Sequence, residues 1–61
     1  MNYSLVFSTV SDIKSARQIA GVLVRSKLAA CVNIVPGLES IYRWQGKIET
    51  SQEVMLLIKT A

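Results

Sequence analysis

The run Val-Met-Leu-Leu-Ile at residues 54–58 is apolar without any alternation of polar and apolar side chains. A strand with this composition is usually covered on both faces of its sheet. The chain has only one segment with helical periodicity, so its own residues can cover one face only. We therefore predict that another subunit covers the second face of the sheet.

The remaining segments predict the element order β-α-β-β. Residues 3–10 alternate as a strand does, and residues 12–28 repeat apolar side chains at helical spacing after a capping Asp12. Residues 29–35 form a second strand that Pro36-Gly37 interrupts, as a bulge or an edge bend, before it continues through 38–44. Gln45-Gly46 predicts a tight turn into a third strand over 47–60. Gly21 lies within the helix, where we expect it to allow close approach to the sheet.

This order predicts an α+β domain with an antiparallel sheet, the first part of a ferredoxin-like split β-α-β arrangement. A right-handed crossover would place the first two strands parallel. The first and third strands are the expected central pair. We treat residues 1–61 as a single domain whose second half, a further helix and strand, is not in the sequence.

Size and composition point to assembly. A domain of 61 residues buries only about 60% of the surface that its unfolded chain exposes, so it is marginal without additional support. The single cysteine cannot form an internal disulfide, and the absence of histidine leaves no four-ligand zinc set. With 51% hydrophobic residues, the chain is predicted to oligomerise, or else to be part of a larger domain.

The charge pattern disfavours nucleic acid and membrane partners. The net charge is +3, and the basic residues do not form a run. No window approaches the roughly 20 apolar residues of a membrane span, and the first residues do not resemble a secretory signal. One free thiol suits a reducing compartment, so we expect a cytoplasmic protein.

The same residues argue against an enzyme. A cysteine nucleophile needs an activating base, and the chain has no histidine to serve beside Cys31. Gly21, Gly37 and Gly46 lack the spacing of a phosphate-binding loop. Binding or assembly is therefore the expected role.

Several motifs together resemble the CutA family, the divalent-cation tolerance proteins. They are Ala-Ala-Cys-Val-Asn-Ile-Val-Pro-Gly at 29–37, Ser-Ile-Tyr-Arg-Trp-Gln-Gly-Lys-Ile at 40–48, Glu-Val-Met-Leu-Leu-Ile-Lys-Thr at 53–60 and Val-Phe-Ser-Thr at 6–9. The resemblance implies a ferredoxin-like fold similar to the PII signalling proteins. It also implies a homotrimer whose long hairpins pack between subunits. Family members continue beyond the Lys-Thr pair, which puts any site built from later residues in doubt here.

The resemblance also implies candidate site residues. Cys31 matches a position implicated in binding copper or another divalent cation, and a thiolate is a suitable soft ligand. The alternative is that Cys31 is a small buried apolar residue. Asn33, Lys59 and Thr60 are candidates for a ligand cleft. Each of them could equally be an ordinary strand-end or surface residue.

The hairpin supplies a second group of candidates. Tyr42 and Trp44 share one strand face near Gly46, where a two-residue turn would place Lys47 opposite Trp44. These aromatic residues could stack on a ligand or anchor packing between subunits. Glu53 is expected to be a solvated or ion-paired strand residue.

Three functions compete at this level. The first is a trimeric, CutA-like protein of divalent-cation tolerance that binds a metal or small ligand without catalysis. The second is a structural trimerisation module without a ligand. The third is an RNA-binding domain of the RRM type, which shares the β-α-β-β order but carries aromatic residues on its third strand. Residues 53–60 contain no aromatic residue, so the third function is the weakest.

Overall fold

A computed structural model describes residues 3–60, which form one three-stranded sheet with a helix against it. The elements are β1 (Ser4–Val10), α1 (Ile13–Arg25), β2 (Cys31–Trp44) and β3 (Lys47–Thr60). The strand order is β1-β3-β2, and β3 runs antiparallel to both neighbours. The predicted ferredoxin-like β-α-β-β arrangement with an antiparallel sheet is confirmed.

The position of β1 differs from the prediction. β1 does pair with β3, as expected, but it lies at an edge of the sheet that residues 3–60 form. A central position would need another strand on the far side of β1. The strand with partners on both sides is β3, which explains why its sequence is the most continuously apolar.

The core lies between α1 and the sheet face that carries the even-numbered residues of β3. Leu56 is only 1% exposed and packs with Ala16 and Val54. Side chains from all three strands surround this cluster and are partly buried: Val10, Val32, Ile34 and Ile58. Small alanines on α1 let the helix approach the sheet closely, so a few large residues of β3 provide most of the buried apolar surface.

Helix α1 begins where the sequence predicted and ends earlier. Asp12 caps it, because Asp12 Oδ1 accepts a hydrogen bond of 2.7 Å from the backbone N–H of Ser15. The predicted end at residue 28 is wrong. Lys27 has φ +61°, and the N–H of Leu28 donates to the carbonyl of Leu23, so a left-handed residue terminates the helix just after Arg25.

Gly21 does not have the role that we expected of it. A Cβ atom at this position would first meet the guanidinium of Arg25, at 2.9 Å from Nη1. No sheet atom is among its three nearest neighbours. The side chain of Arg25, one turn later in the same helix, therefore lies over Gly21. Ala16 is the helix residue that packs with the buried sheet residues Val54 and Leu56.

The hairpin prediction is confirmed in its register. Gln45 and Gly46 have φ of +50° and +75°, which is the two-residue turn that suits the twist of a hairpin. Trp44 pairs with Lys47 and Tyr42 with Glu49. A register shift between Val35 and Leu38 confirms the interruption at Pro36-Gly37 as a bulge within one continuous strand.

Candidate functional site

The candidate site lies on the sheet face opposite α1, which we call the open face. Alternation along the strands places there the odd-numbered residues of β1 and β3 and their register partners on β2. Large apolar side chains on it, including those of Leu5 and Phe7, are exposed, and Met55 and Leu57 are only partly buried. The prediction that α1 would leave one face uncovered agrees with this arrangement of residues 3–60.

Two of the predicted site residues meet in one cross-strand row on the open face. Lys59 of β3 pairs with Leu5 of β1 on one side and with Cys31 of β2 on the other. The backbone N–H of Ala30 donates to the carbonyl of Lys59 at 2.8 Å, which holds the start of β2 against β3. A depression of about 490 Å³ opens over this row, and its remaining lining residues are Tyr3, Ser4 and Ala30.

Asn33 joins the row through Cys31. The thiol of Cys31 donates to Asn33 Oδ1 at 3.5 Å, because residues two apart on a strand point to the same face. Cys31 is partly buried, which makes it neither a fully enclosed core residue nor a freely exposed thiol. The arrangement thus offers one sulfur and one amide oxygen side by side, with a lysine at the neighbouring register position.

Thr60 does not share this surface. It pairs with Ser4 and belongs to the set of β3 residues that face the helix side of the sheet. Successive residues of a strand point to opposite faces of the sheet, so Lys59 lies beside Cys31 on the open face and Thr60 lies on the face that carries α1.

Residues 3–60 of one chain do not provide a complete metal site. Among residues 3–60, no group of three or more His, Cys, Asp or Glu side chains lies close enough to hold an ion. Cys31 is the one thiol of the chain, and Asn33 contributes a hard amide oxygen that suits copper poorly. The described residues of one copy therefore do not fit a copper ion by themselves.

The hairpin residues form a second surface, distant from the Cys31 row. Tyr42 and Trp44 are exposed on the open face, and Ile41 and Ile48 are exposed on the other face of the same ribbon. Beyond the bulge, α1 covers neither side of this part of the hairpin. An isolated two-stranded ribbon is only marginally stable in water, so exposed apolar residues on both of its faces favour packing against another surface.

One carboxylate has a more specific environment than the sequence suggested. Glu53 lies on the open face and is partly buried, and the hydroxyls of Ser40, Thr9 and Ser51 lower its pKa by hydrogen bonding to the charged form. Ser51 Oγ lies 3.4 Å from Glu53 Oε1. Glu53 thus has hydroxyl partners from all three strands. The predicted solvated or ion-paired residue is instead held by hydroxyl groups. Only the register of three strands could reveal this.

Close to Glu53, the turn before α1 holds a second carboxylate with a shifted pKa, and both residues line the same shallow depression. The backbone N–H and the hydroxyl of Ser15 lower the pKa of Asp12, which is fully explained by its capping role.

No helix among residues 3–60 is long and apolar enough to cross a membrane.

Comparison with known proteins identifies the family of this fold. The sequence profile of the family described as "CutA1 divalent ion tolerance protein" matches residues 4–61. A divalent-cation tolerance protein CutA from Thermus thermophilus is 59% identical over 56 residues, which are 92% of this chain and 54% of that protein.

Solved structures agree with the sequence match. The Cut A1 divalent cation tolerance protein of Thermus thermophilus superposes with a TM-score of 0.91 at 55% identity, covering 98% of this chain and 58% of that one. CutA from Xylella fastidiosa gives a TM-score of 0.89 at 62% identity, covering 95% and 55%. The chain spans between about a third and a half of the length of the first curated relatives that it matches.

Proposed function

The chain belongs to the CutA1 divalent ion tolerance family, and from this premise we propose that it acts in the cellular response to divalent cations, copper in particular, as a non-catalytic cytoplasmic homotrimer. Metal or a small ligand would bind where copies of the chain meet. Nucleic acid and membranes are not among the proposed partners.

The observation that carries this proposal is the position of Cys31 on the open face. The thiol is partly buried, lies 3.5 Å from Asn33 Oδ1 and borders a depression between β1 and the start of β2. The face around it bears exposed apolar side chains that favour contact with another copy. A thiol at such a boundary can meet ligands from a second chain.

Assembly is what would turn this partial site into a complete one. One copy supplies one thiolate, and a soft metal ion needs at least one further donor. Lys59, at the neighbouring register position, disfavours a bare cation through its positive charge. We therefore expect weak binding by one chain and stronger binding only where two or more copies place their Cys31 thiols together.

A metal titration of the purified assembly tests the proposal. Copper binding, followed by calorimetry at fixed oligomer size, should weaken in Cys31→Ser while sedimentation shows an unchanged assembly. Met55→Leu is the matched control, because Met55 is the other described sulfur residue of the open face and should not change copper affinity. Tight stoichiometric copper binding that persists in Cys31→Ser would refute the assignment of Cys31.

A structural trimerisation module without a ligand is the second candidate. The exposed apolar residues on both faces of the hairpin favour it, since they call for packing partners whether or not a metal is bound. In that case Cys31→Ser should lower stability by about 1–3 kcal/mol through burial of a hydroxyl, and copper should bind neither form.

A further inference from the structure

The positive charge of the chain is concentrated on helix α1 and the turn that ends it. Residues 13–27 contain no carboxylate and four cations, which are Lys14, Arg17, Arg25 and Lys27. The rest of the chain has one more carboxylate than it has cations. The net charge of +3 therefore comes entirely from this one segment, although its residues are too far apart in sequence to form a run.

Three of these cations share one face of the helix. Lys14, Arg17 and Arg25 are exposed, and their spacing places them on the side of α1 that is turned away from its buried alanines. We call these three residues, together with Gly21 between them, the basic stripe. Helix α1 contains no aspartate or glutamate, so no pair one turn apart neutralises the stripe, and none of its cations is in an ion pair among residues 3–60.

The side chain of Arg25 folds back along the stripe. A Cβ atom at Gly21 would lie 2.9 Å from Nη1 and 3.3 Å from Cζ of Arg25, so a residue without a side chain leaves room there for the guanidinium. A glycine inside a helix costs about 1 kcal/mol relative to alanine, and this position is where the chain accepts that cost. The stripe thus carries cations at positions 14, 17 and 21, each about one helical turn from the next.

We propose that the basic stripe binds an acidic helical segment of a partner protein. Carboxylates that are three or four residues apart on a helix are roughly 5–6 Å from one another, which matches the spacing of the stripe. The planar guanidinium of arginine also suits a carboxylate, because it can donate two parallel hydrogen bonds. This inference goes beyond the proposed function and does not depend on it, since Cys31 lies on the open face and the stripe lies on the outer side of α1.

The composition of the helix favours a protein over the other polyanions. Val24, three residues after Gly21, is 44% exposed beside the stripe and offers an apolar contact that a phosphate backbone cannot use. Helix α1 has no aromatic residue on which a base could stack. The stripe itself has no large apolar side chain that could enter a bilayer, as a membrane-bound helix requires.

A labelled peptide tests the proposal with the full chain. The probe is a fluorescein-labelled, alanine-rich peptide of about 18 residues with a glutamate at every fourth position, which is long enough to form a helix. Fluorescence anisotropy should show binding that weakens as the salt concentration rises from about 0.05 M to 0.5 M, because the contacts are exposed ion pairs. A control peptide with glutamine at the same positions should bind at least about tenfold more weakly.

Two double variants with the same net charge separate the stripe from the charge of the whole chain. Arg17→Gln with Arg25→Gln removes two charges from the stripe, and Arg43→Gln with Lys47→Gln removes two from the hairpin, so each variant has a net charge of +1. The first should weaken peptide binding at least about fivefold, and the second should leave it within about twofold.

Gly21→Ala adds a test that a purely structural role would not meet. The added Cβ would displace the Arg25 guanidinium from its place on the stripe, so peptide binding should weaken about twofold or more. The helix itself should become more stable, because alanine favours it. Affinity and stability should therefore change in opposite directions.

Three results would overturn the inference. They are equal loss of binding in the two double variants, the absence of peptide binding at low salt, and equal binding of the glutamate and glutamine peptides. A single-stranded oligonucleotide or phosphatidylserine vesicles that bind more tightly than the peptide, with that binding lost in the stripe variant, would also refute the acidic segment and assign the stripe to nucleic acid or to membranes. None of these results bears on copper binding at Cys31, so each proposal can fail separately.

Discussion

Leu56 and Leu57 are neighbours in sequence whose side chains lie on opposite faces of β3, and replacing each with alanine separates folding from assembly. Leu56 is 1% exposed and is the largest fully buried side chain among the described residues. Replacing a buried leucine with alanine costs about 2–5 kcal/mol, and more where the surrounding structure cannot collapse into the cavity. Because β3 is held by ladders on both sides, we expect a value of about 3–5 kcal/mol.

The size of the chain makes that loss decisive. At roughly 0.05–0.15 kcal/mol per residue, a domain of 61 residues has a free energy of unfolding of about 3–9 kcal/mol. Leu56→Ala should therefore remove most of the stability. Urea unfolding, monitored by far-ultraviolet circular dichroism, should show a much lower midpoint or no folded baseline at all.

Leu57→Ala is the matched control for this measurement. Leu57 lies on the open face, where only its strand neighbours cover it, so its truncation should cost about 1 kcal/mol or less in a monomer. If other copies cover the open face, the same change should instead reduce the oligomer size in sedimentation. A melting curve for Leu56→Ala that matches the unmodified chain would refute the core described here, as would an equal loss for both variants in the monomer.

Three further predictions concern the turn, the helix and pH. Gly46→Val should lower the free energy of unfolding by about 1–2 kcal/mol, because Gly46 has φ +75° and a β-branched residue resists that conformation. No atom within 4 Å would obstruct the added Cβ, so the cost comes from the backbone conformation alone. An unchanged thermal midpoint and oligomer size would contradict this prediction. Gly21→Ala should stabilise the chain by up to about 1 kcal/mol, because alanine favours the helix more than glycine does. The added Cβ would first meet the Arg25 guanidinium, which is the flexible end of a side chain and can move. A loss of stability in chemical unfolding would show that the Arg25 side chain cannot move. Acidification below the unfolded pKa values of about 4 should destabilise the fold, because the folded pKa values of Asp12 and Glu53 are lowered. Their contribution is present above the unfolded values and is lost as pH falls through the folded ones. In Glu53→Gln this acid-induced loss should be smaller, and an equal loss would assign it to other groups.

The local elements of the fold could be read from the sequence. Alternation along 3–10, the capping Asp12, the bulge at Pro36-Gly37 and the Gln45-Gly46 turn each depend on residues within a few positions of one another. Their physical causes are local: side-chain direction along a strand, a hydrogen bond to a backbone N–H three residues away, and the positive φ that glycine tolerates. The motifs in that order also indicated the family, which the sequence profile and the solved structures confirm.

Two errors concern α1, where a single backbone angle or the position of a single side chain decides the outcome. The end of α1 was placed at residue 28 because the apolar spacing continues, whereas Lys27 adopts a left-handed conformation and ends the helix. Gly21 was assigned a contact with the sheet, but the atoms nearest to a Cβ at this position belong to the side chain of Arg25, one turn later in the same helix. Neither outcome is encoded in periodicity, because each depends on how one side chain or one backbone angle settles against its neighbours.

The candidate site shows the same division most clearly. The residue types alone identified Cys31 as the only thiol of this sequence, since composition limits the available chemistry whatever the fold. The sequence alone could not show that Lys59 lies beside Cys31, or that the hydroxyls of Thr9 and Ser40 lie beside Glu53. Those neighbours come from different strands, so the register of strand pairing decides which of them lie together. A shift of one residue in that register would turn every side chain of a strand to the other face of the sheet.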